Sequence, residues 1–242
     1  MSGYKLDHKL KIKSEDLIWH MHEYDVDPTS SHIYLMGTET HSTGMGDAID
    51  EPGIEYTIAN KLIRNINLCM RNDPDKPILI HMKTCGGYWE EGMAIYDAIK
   101  ACPVPVTILN YTHARSMSSI IFQAANKRVM MPNSTFMFHD GSLELSGTVK
   151  QVKTAVQLTD ITDKTMMGIY VEAMKSTPTS KVAKWSRKRL EDWLRTEMDK
   201  KEDVFLTAEQ AVYYGFADEI FGGRNGYDWG KLIEYTEEQL ER

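Results

Sequence analysis

Between residues 32 and 138 the sequence alternates between two periodicities, and this alternation narrows the folds open to it. Three short apolar runs, His32-Ile-Tyr-Leu-Met36, Pro77-Ile-Leu-Ile-His-Met82 and Val104-Pro-Val-Thr-Ile-Leu109, read as buried strands. Helical spacing lies between them. Glu55 to Arg71 carries Ile58, Leu62, Ile66 and Cys69 on one face, and Glu91 to Ala101 resumes the pattern. Asn72-Asp-Pro-Asp-Lys-Pro77 and Cys85-Gly-Gly87 punctuate the changes. Ser116 to Ala125 is a further helix, and Arg128–Met131 and Thr135–Phe138 are two more strands. Repeated strand–helix–strand units imply an α/β fold with a largely parallel sheet.

The pattern changes after His139. Asp140 to Gly147 is short and polar, and Val149 to Met174 is one long helical stretch. Ser176-Thr-Pro-Thr-Ser180 ends it, with Thr179 or Ser180 expected to cap an amphipathic helix over Lys181–Met198. Thr207 and Gln210 have the spacing of a capping box for a short helix that Gly215 closes, and Phe216–Phe221 is a last strand. Residues 38–53 are rich in Gly, Thr, Asp and Ser and read as a long loop. Residues 1–31 read as an N-terminal arm, 32–221 as the main domain, and 222–242 as a polar tail.

Composition excludes several classes. With 42% hydrophobic residues in 242, the chain can build a core and is not disordered. A net charge of −7 argues against binding a nucleic-acid backbone. The three cysteines, Cys69, Cys85 and Cys102, form no CxxC pair, which argues against a disulfide framework or a zinc site. There is no signal-peptide core at the N-terminus and no apolar run approaching the ~20 residues of a membrane helix. A cytoplasmic protein that is not membrane-bound is the expectation.

A serine nucleophile needs a base, a group to orient that base and donors for the oxyanion. Ser116 follows a strand and opens a helix, where backbone N–H groups lack intrahelical partners and favour negative charge. The Met117 N–H is therefore a candidate oxyanion donor. Gly86 and Gly87 follow another strand at the same edge of a parallel sheet, where such sheets bind ligands. The plainer reading of each residue is also open. A serine at a helix start is commonly a cap, His139 at a strand end is commonly structural, and Asp203 lies in the charged run Asp199-Lys-Lys-Glu-Asp203. Ser118, Ser119 and a surface His113 are the neighbouring candidates.

Four ordered stretches carry a resemblance that bears on this choice. Gly86-Gly-Tyr-Trp-Glu-Glu-Gly-Met-Ala-Ile-Tyr-Asp97, Ala114-Arg-Ser-Met117, Arg128-Val-Met-Met-Pro-Asn-Ser134 with Phe136-Met-Phe-His139, and Glu202-Asp-Val-Phe-Leu-Thr-Ala-Glu-Gln-Ala-Val-Tyr-Tyr-Gly-Phe-Ala-Asp218 resemble the signature segments of the ClpP family. The resemblance covers about residues 32–221. It implies a ClpP/crotonase-like α/β fold, with a parallel-sheet head and a helical handle at about 140–176. It implies a catalytic triad of Ser116, His139 and Asp203, with Gly86, Gly87 and Met117 as the oxyanion hole. It further implies a serine endopeptidase acting on unfolded polypeptides without metal or organic cofactor, in stacked heptameric rings fed by an AAA+ unfoldase of the ClpX or ClpA kind.

The chain departs from that family at several positions. Cys85 stands where the family usually has proline, Thr112 and Ser118 where it has glycine, and Arg115 where it has a small residue. The segments 38–53 and 176–201 are longer than usual. These changes point to a divergent or phage-like member. A catalytically inactive ring subunit, a capsid-maturation protease and an acyl-CoA enzyme on the same fold are the alternatives.

Overall fold

The computed structural model describes residues 12–36, 53–142, 145–222 and 228–242. The strands are β1 (Val26–Asp27), β2 (His32–Met36), β3 (Ile78–Thr84), β4 (Val106–Arg115), β5 (Lys127–Met130), β6 (Thr135–Phe138), β7 (Val204–Thr207) and β8 (Glu219–Ile220). The helices are α1 (Ser14–Glu23), α2 (Tyr56–Asn72), α3 (Trp89–Lys100), α4 (Met117–Phe122), α5 (Val149–Ser176), α6 (Arg187–Lys201), α7 (Ala208–Tyr214) and α8 (Glu237–Leu240). Among the described residues the strands form one sheet in the order β1-β2-β3-β4-β5-β8, and β6 and β7 continue it from the end of β4. The pairs β2–β3, β3–β4, β4–β5, β4–β6 and β5–β8 are parallel, and β1–β2 and β6–β7 are antiparallel. The fold is α/β, as the alternating pattern implies.

Burial explains why the central strands read as continuous apolar runs. In β3, Ile78, Ile80 and Met82 enter the main core with α2 and α3 residues such as Leu62, Ile66, Ile95 and Ile99. Leu79 faces the other way, into a second cluster with Leu109, Val129, Phe221 and Leu232. A parallel strand covered on both faces has few positions left for polar residues. His81 is one of them, with its ring stacked on Tyr34.

Several element boundaries differ from expectation for identifiable reasons. β4 runs on through Asn110–Arg115 because β6 takes over as its partner at His113–Arg115, where β5 has left the ladder. Helix α6 starts at Arg187, six residues later than expected, and Ser186 caps it instead of Thr179 or Ser180. The Ser180 hydroxyl is directed to the Tyr214 carbonyl and the Lys181 N–H to the Tyr213 carbonyl, which holds this stretch against the end of α7. The capping box of Thr207 and Gln210 is present. Within the segment read as an arm, α1 leads into β1, and Val26 is fully buried. The segment read as a polar tail packs on the sheet: Leu232 is buried, and Thr107 Oγ1 donates to its carbonyl at 2.6 Å. The long loop expected at 38–53 lies outside the described residues except for Gly53. No helix among the described residues is long and apolar enough to cross a membrane.

Arg128 joins four elements behind the sheet edge. Its guanidinium meets Asp218 through Nε and Nη2, both at 3.1 Å, and also reaches Gln123 Oε1, Thr177 Oγ1 and the Gly215 carbonyl. Burial alone would raise the Asp218 pKa, but the charges of Arg128 and Arg242 outweigh it and hold the carboxyl below its usual range.

Candidate active site

Topology gathers the site at one edge of the sheet. Strands β3, β4 and β6 run parallel, so their carboxyl ends, leading to Gly86, Ser116 and His139, lie on the same side. Strand β7 runs antiparallel to β6 with Phe138 opposite Val204, which puts the next pair, His139 and Asp203, side by side. Between β4 and α4 the chain turns at Ser116 with φ 50° and ψ −128°. Positive φ is costly for a residue with a Cβ and persists only where its surroundings impose it. Here the Ser116 N–H donates to the Met137 carbonyl at 3.1 Å, and its carbonyl accepts from the Ser119 N–H at 2.9 Å.

The three side chains form a hydrogen-bonded line. His139 Nε2 lies 2.8 Å from Ser116 Oγ, and His139 Nδ1 lies 3.1 Å from Asp203 Oδ1. An ionised carboxylate only accepts, so Nδ1 carries the proton and Nε2 presents its lone pair to the Ser116 hydroxyl. Ser116 makes no side-chain cap to α4, so its hydroxyl is not used as a helix cap. The side chains of His139 and Asp203 are 21% and 49% exposed, so this edge opens to solvent.

Asp203 is delivered by a second strained turn. Glu202 has φ 60° and ψ −69°, and the Asp203 N–H reaches the Lys201 carbonyl at 2.7 Å. This is a γ-turn of the rare positive-φ kind. It breaks α6 abruptly and starts β7. An open depression lined by His139, Asp140, Met198 and Lys200, among others, lies on this side.

The glycines come close to the nucleophile. Gly86 has φ +104°, and a Cβ there would fall 2.7 Å from both the Arg115 carbonyl oxygen and Ser116 Cβ, and 3.0 Å from Met117 N. Only glycine lets the backbone approach that closely. The Gly86 carbonyl accepts from the Ile54 N–H at 2.6 Å, which puts the Gly87 N–H on the opposite side of that peptide. The Gly86 N–H makes a long contact, 3.4 Å, to Thr84 Oγ1. Met117 N lies beside the Gly86 backbone at the start of α4, so Gly86 and Met117 border Ser116, while the Gly87 backbone lies against Ile54.

The neighbouring candidates fall elsewhere. Ser118 and Ser119 are fully buried, and His113 is buried in β4, not on the surface at a helix start. The Arg115 guanidinium lies over the Phe205 ring, 5.4 Å from its centroid. Cys85 is half-buried, Tyr88 is exposed, and Trp89 packs against the core. Three features were not anticipated from the sequence: strand β7, the γ-turn at Glu202, and a contact from Ser119 to Tyr170. The alternation of buried Val204 and Leu206 with Phe205 and Thr207 was the available signal for β7.

A family model described as Clp protease matches residues 49–224, well over half of the chain. The chain belongs to the Clp protease family. It is a divergent member. It is 27% identical over 173 residues to the ATP-dependent Clp protease proteolytic subunit of Deinococcus radiodurans, covering 69% of this chain and 76% of that protein. It is 29% identical over 178 residues to subunit 2 of the same description from Tropheryma whipplei, covering 73% and 88%. It is 28% identical over 178 residues to subunit 2 from Chlamydia muridarum, covering 73% and 78%. The four resembling stretches all lie within the Clp protease match or at positions it spans.

Proposed function

We propose that this Clp protease family member is a serine endopeptidase that cuts unfolded polypeptides through an acyl-enzyme. The observation that carries the reading is the hydrogen-bonded line from Ser116 Oγ through His139 to Asp203, built on a strained strand-to-helix turn. Ser116 Oγ attacks the peptide carbonyl carbon while His139 Nε2 takes the hydroxyl proton. The carbonyl oxygen gains negative charge, and the N–H groups of Met117 and of Gly86 or Gly87 receive it. Collapse of this intermediate breaks the C–N bond, and His139 returns the proton to the leaving amine. Water then attacks the ester with His139 again as base, which frees the carboxylate and restores Ser116. Asp203 keeps the proton of His139 on Nδ1 and stabilises the imidazolium as it forms.

Residues 32–221 are taken as the peptidase unit, and α5 as the core of a handle. In this reading the chain works in the cytoplasm as a homo-oligomer of stacked rings, and a separate AAA+ unfoldase supplies the ATP-driven step. The relatives carry "ATP-dependent" in their description, which supports such a partner. The test is hydrolysis of a fluorogenic peptide and of an unfolded polypeptide by the assembled protein and by Ser116→Ala. Cleavage by wild type that disappears in the variant supports the reading. Equal cleavage by both removes Ser116 from it.

A further inference from the structure

Behind the Ser116 turn lies a pair of hydroxyls that the reaction itself does not use. Ser119 Oγ is 2.6 Å from the Ser116 carbonyl oxygen and 2.6 Å from Tyr170 Oη. Both residues are buried, Ser119 at 0% and Tyr170 at 1% exposure. A carbonyl oxygen can only accept, so the single Ser119 hydroxyl proton goes to Ser116. The Tyr170 phenol must then donate to Ser119 Oγ. Burial raises the Tyr170 pKa well above its ordinary value, so the phenol keeps its proton at any working pH. The Ser116 carbonyl thus ends a two-step chain of donors and accepts from the Ser119 N–H as well.

The peptide between Ser116 and Met117 is planar and trans, so its carbonyl and its N–H point in opposite directions. Holding the carbonyl inward, toward Ser119 and Tyr170, directs the Met117 N–H outward on the side of Gly86, whose backbone lies against it. Tyr170 belongs to α5 and also touches the strand that carries the base. Its ring meets Phe136 edge-on at 6.3 Å and Phe138 at 5.8 Å, and Phe138 immediately precedes His139. Phenylalanine and alanine would fill the same space, but only the two hydroxyls reach the Ser116 carbonyl.

We propose that Tyr170, acting through Ser119, is a positioning residue that fixes the 116–117 peptide and thereby aims the Met117 N–H at the oxyanion. This rests on the peptidase reading above.

The test uses the assembled full-length protein as wild type, Tyr170→Phe, Ser119→Ala and the double variant. A fluorophosphonate loses fluoride to an activated serine and leaves a tetrahedral phosphonyl adduct, so its phosphonylation rate reads the oxyanion donors, and the labelled fraction reads the number of folded sites. Each single variant is expected to be phosphonylated about 10-fold more slowly, a part of the ~10²–10³ that losing a whole donor costs. The double variant should lose no more than the worse single, because the two hydroxyls act as one unit. The labelled fraction and the KM for a fluorogenic peptide should stay at wild-type values. Rates within about twofold of wild type, or losses that multiply in the double variant, would overturn the proposal. A lower labelled fraction with an unchanged rate would also overturn it, since that is the mark of a purely structural role. Absence of labelling in wild type would instead sink the peptidase reading, and the positioning role with it.

Discussion

Replacing Gly86 with alanine adds one methyl group where the backbone leaves no room for it. The new Cβ would sit 2.7 Å from Ser116 Cβ and from the Arg115 carbonyl oxygen, and 3.0 Å from Met117 N. Ordinary van der Waals contact begins near 3.4 Å, so Ser116 and Gly86 must separate by about 0.7 Å. The displaced groups are the nucleophile and the peptide that carries an oxyanion donor. A 1 Å misplacement of reacting groups costs about 10²-fold in rate, so a loss of roughly 10- to 100-fold in the labelling rate is expected. The positive φ of Gly86 adds strain of about 1–3 kcal/mol, which thermal unfolding would read separately. The assay is fluorophosphonate labelling of the assembled particle, with Gly168→Ala as the control. Gly168 lies in α5 with open space around it, and alanine is the better helix former there. If Gly86→Ala assembles and is labelled at the wild-type rate, the close approach of Gly86 to the working nucleophile is refuted.

Further outcomes follow from individual groups. Asp203→Asn should lower kcat by about 10²–10⁴, because an amide can donate to Nδ1 and stabilise the wrong tautomer; a pre-steady-state burst assay would read the acylation step. Asp218→Ala should destabilise the fold by about 3–5 kcal/mol in urea titration, since it leaves the buried Arg128 guanidinium without its counter-charge. His81 should make stability fall in mild acid. Burial first, and the His32 charge second, lower its pKa to about 4, against an unfolded value near 6.5. The unfolded chain therefore takes up a proton first: the full stability is present above pH ~6.5 and is lost as pH falls toward 4. The loss between pH 7 and pH 5 should be about 2 kcal/mol, measured by denaturant titration, and His81→Gln should abolish that share of it.

How far the sequence reveals this structure depends on what holds each part together. Strands β3 to β5 are covered on both faces, which leaves apolar runs such as Ile78–Met82, while β2 could be read from its buried Ile33 and Leu35. Helix α2 could be read because Leu62, Ile66 and Cys69 share its buried face. Helix α1 could not, since none of its residues is buried. The packing of residues 228–242 left no apolar pattern, because side chains of Thr107 and Lys127 bind backbone carbonyls there. At the site, the position of Ser116 at a strand-to-helix turn was visible, but its backbone strain was not. Asp203 was visible only through the resemblance of its surrounding stretch, since a carboxylate in a charged run carries no mark of its partner. The Ser119–Tyr170 bond joins positions 51 residues apart, and neither residue type announces the other.

The central claim, that Ser116 is an activated nucleophile, is tested most directly by the intact mass of the protein after fluorophosphonate treatment. Wild type, Ser116→Ala and His139→Ala would be treated together, with particle size measured on the same samples. The account predicts one adduct per chain on wild type, none on Ser116→Ala, and strongly slowed labelling of His139→Ala. An assembled wild-type particle that takes up no label, or an adduct that persists in Ser116→Ala, would contradict it.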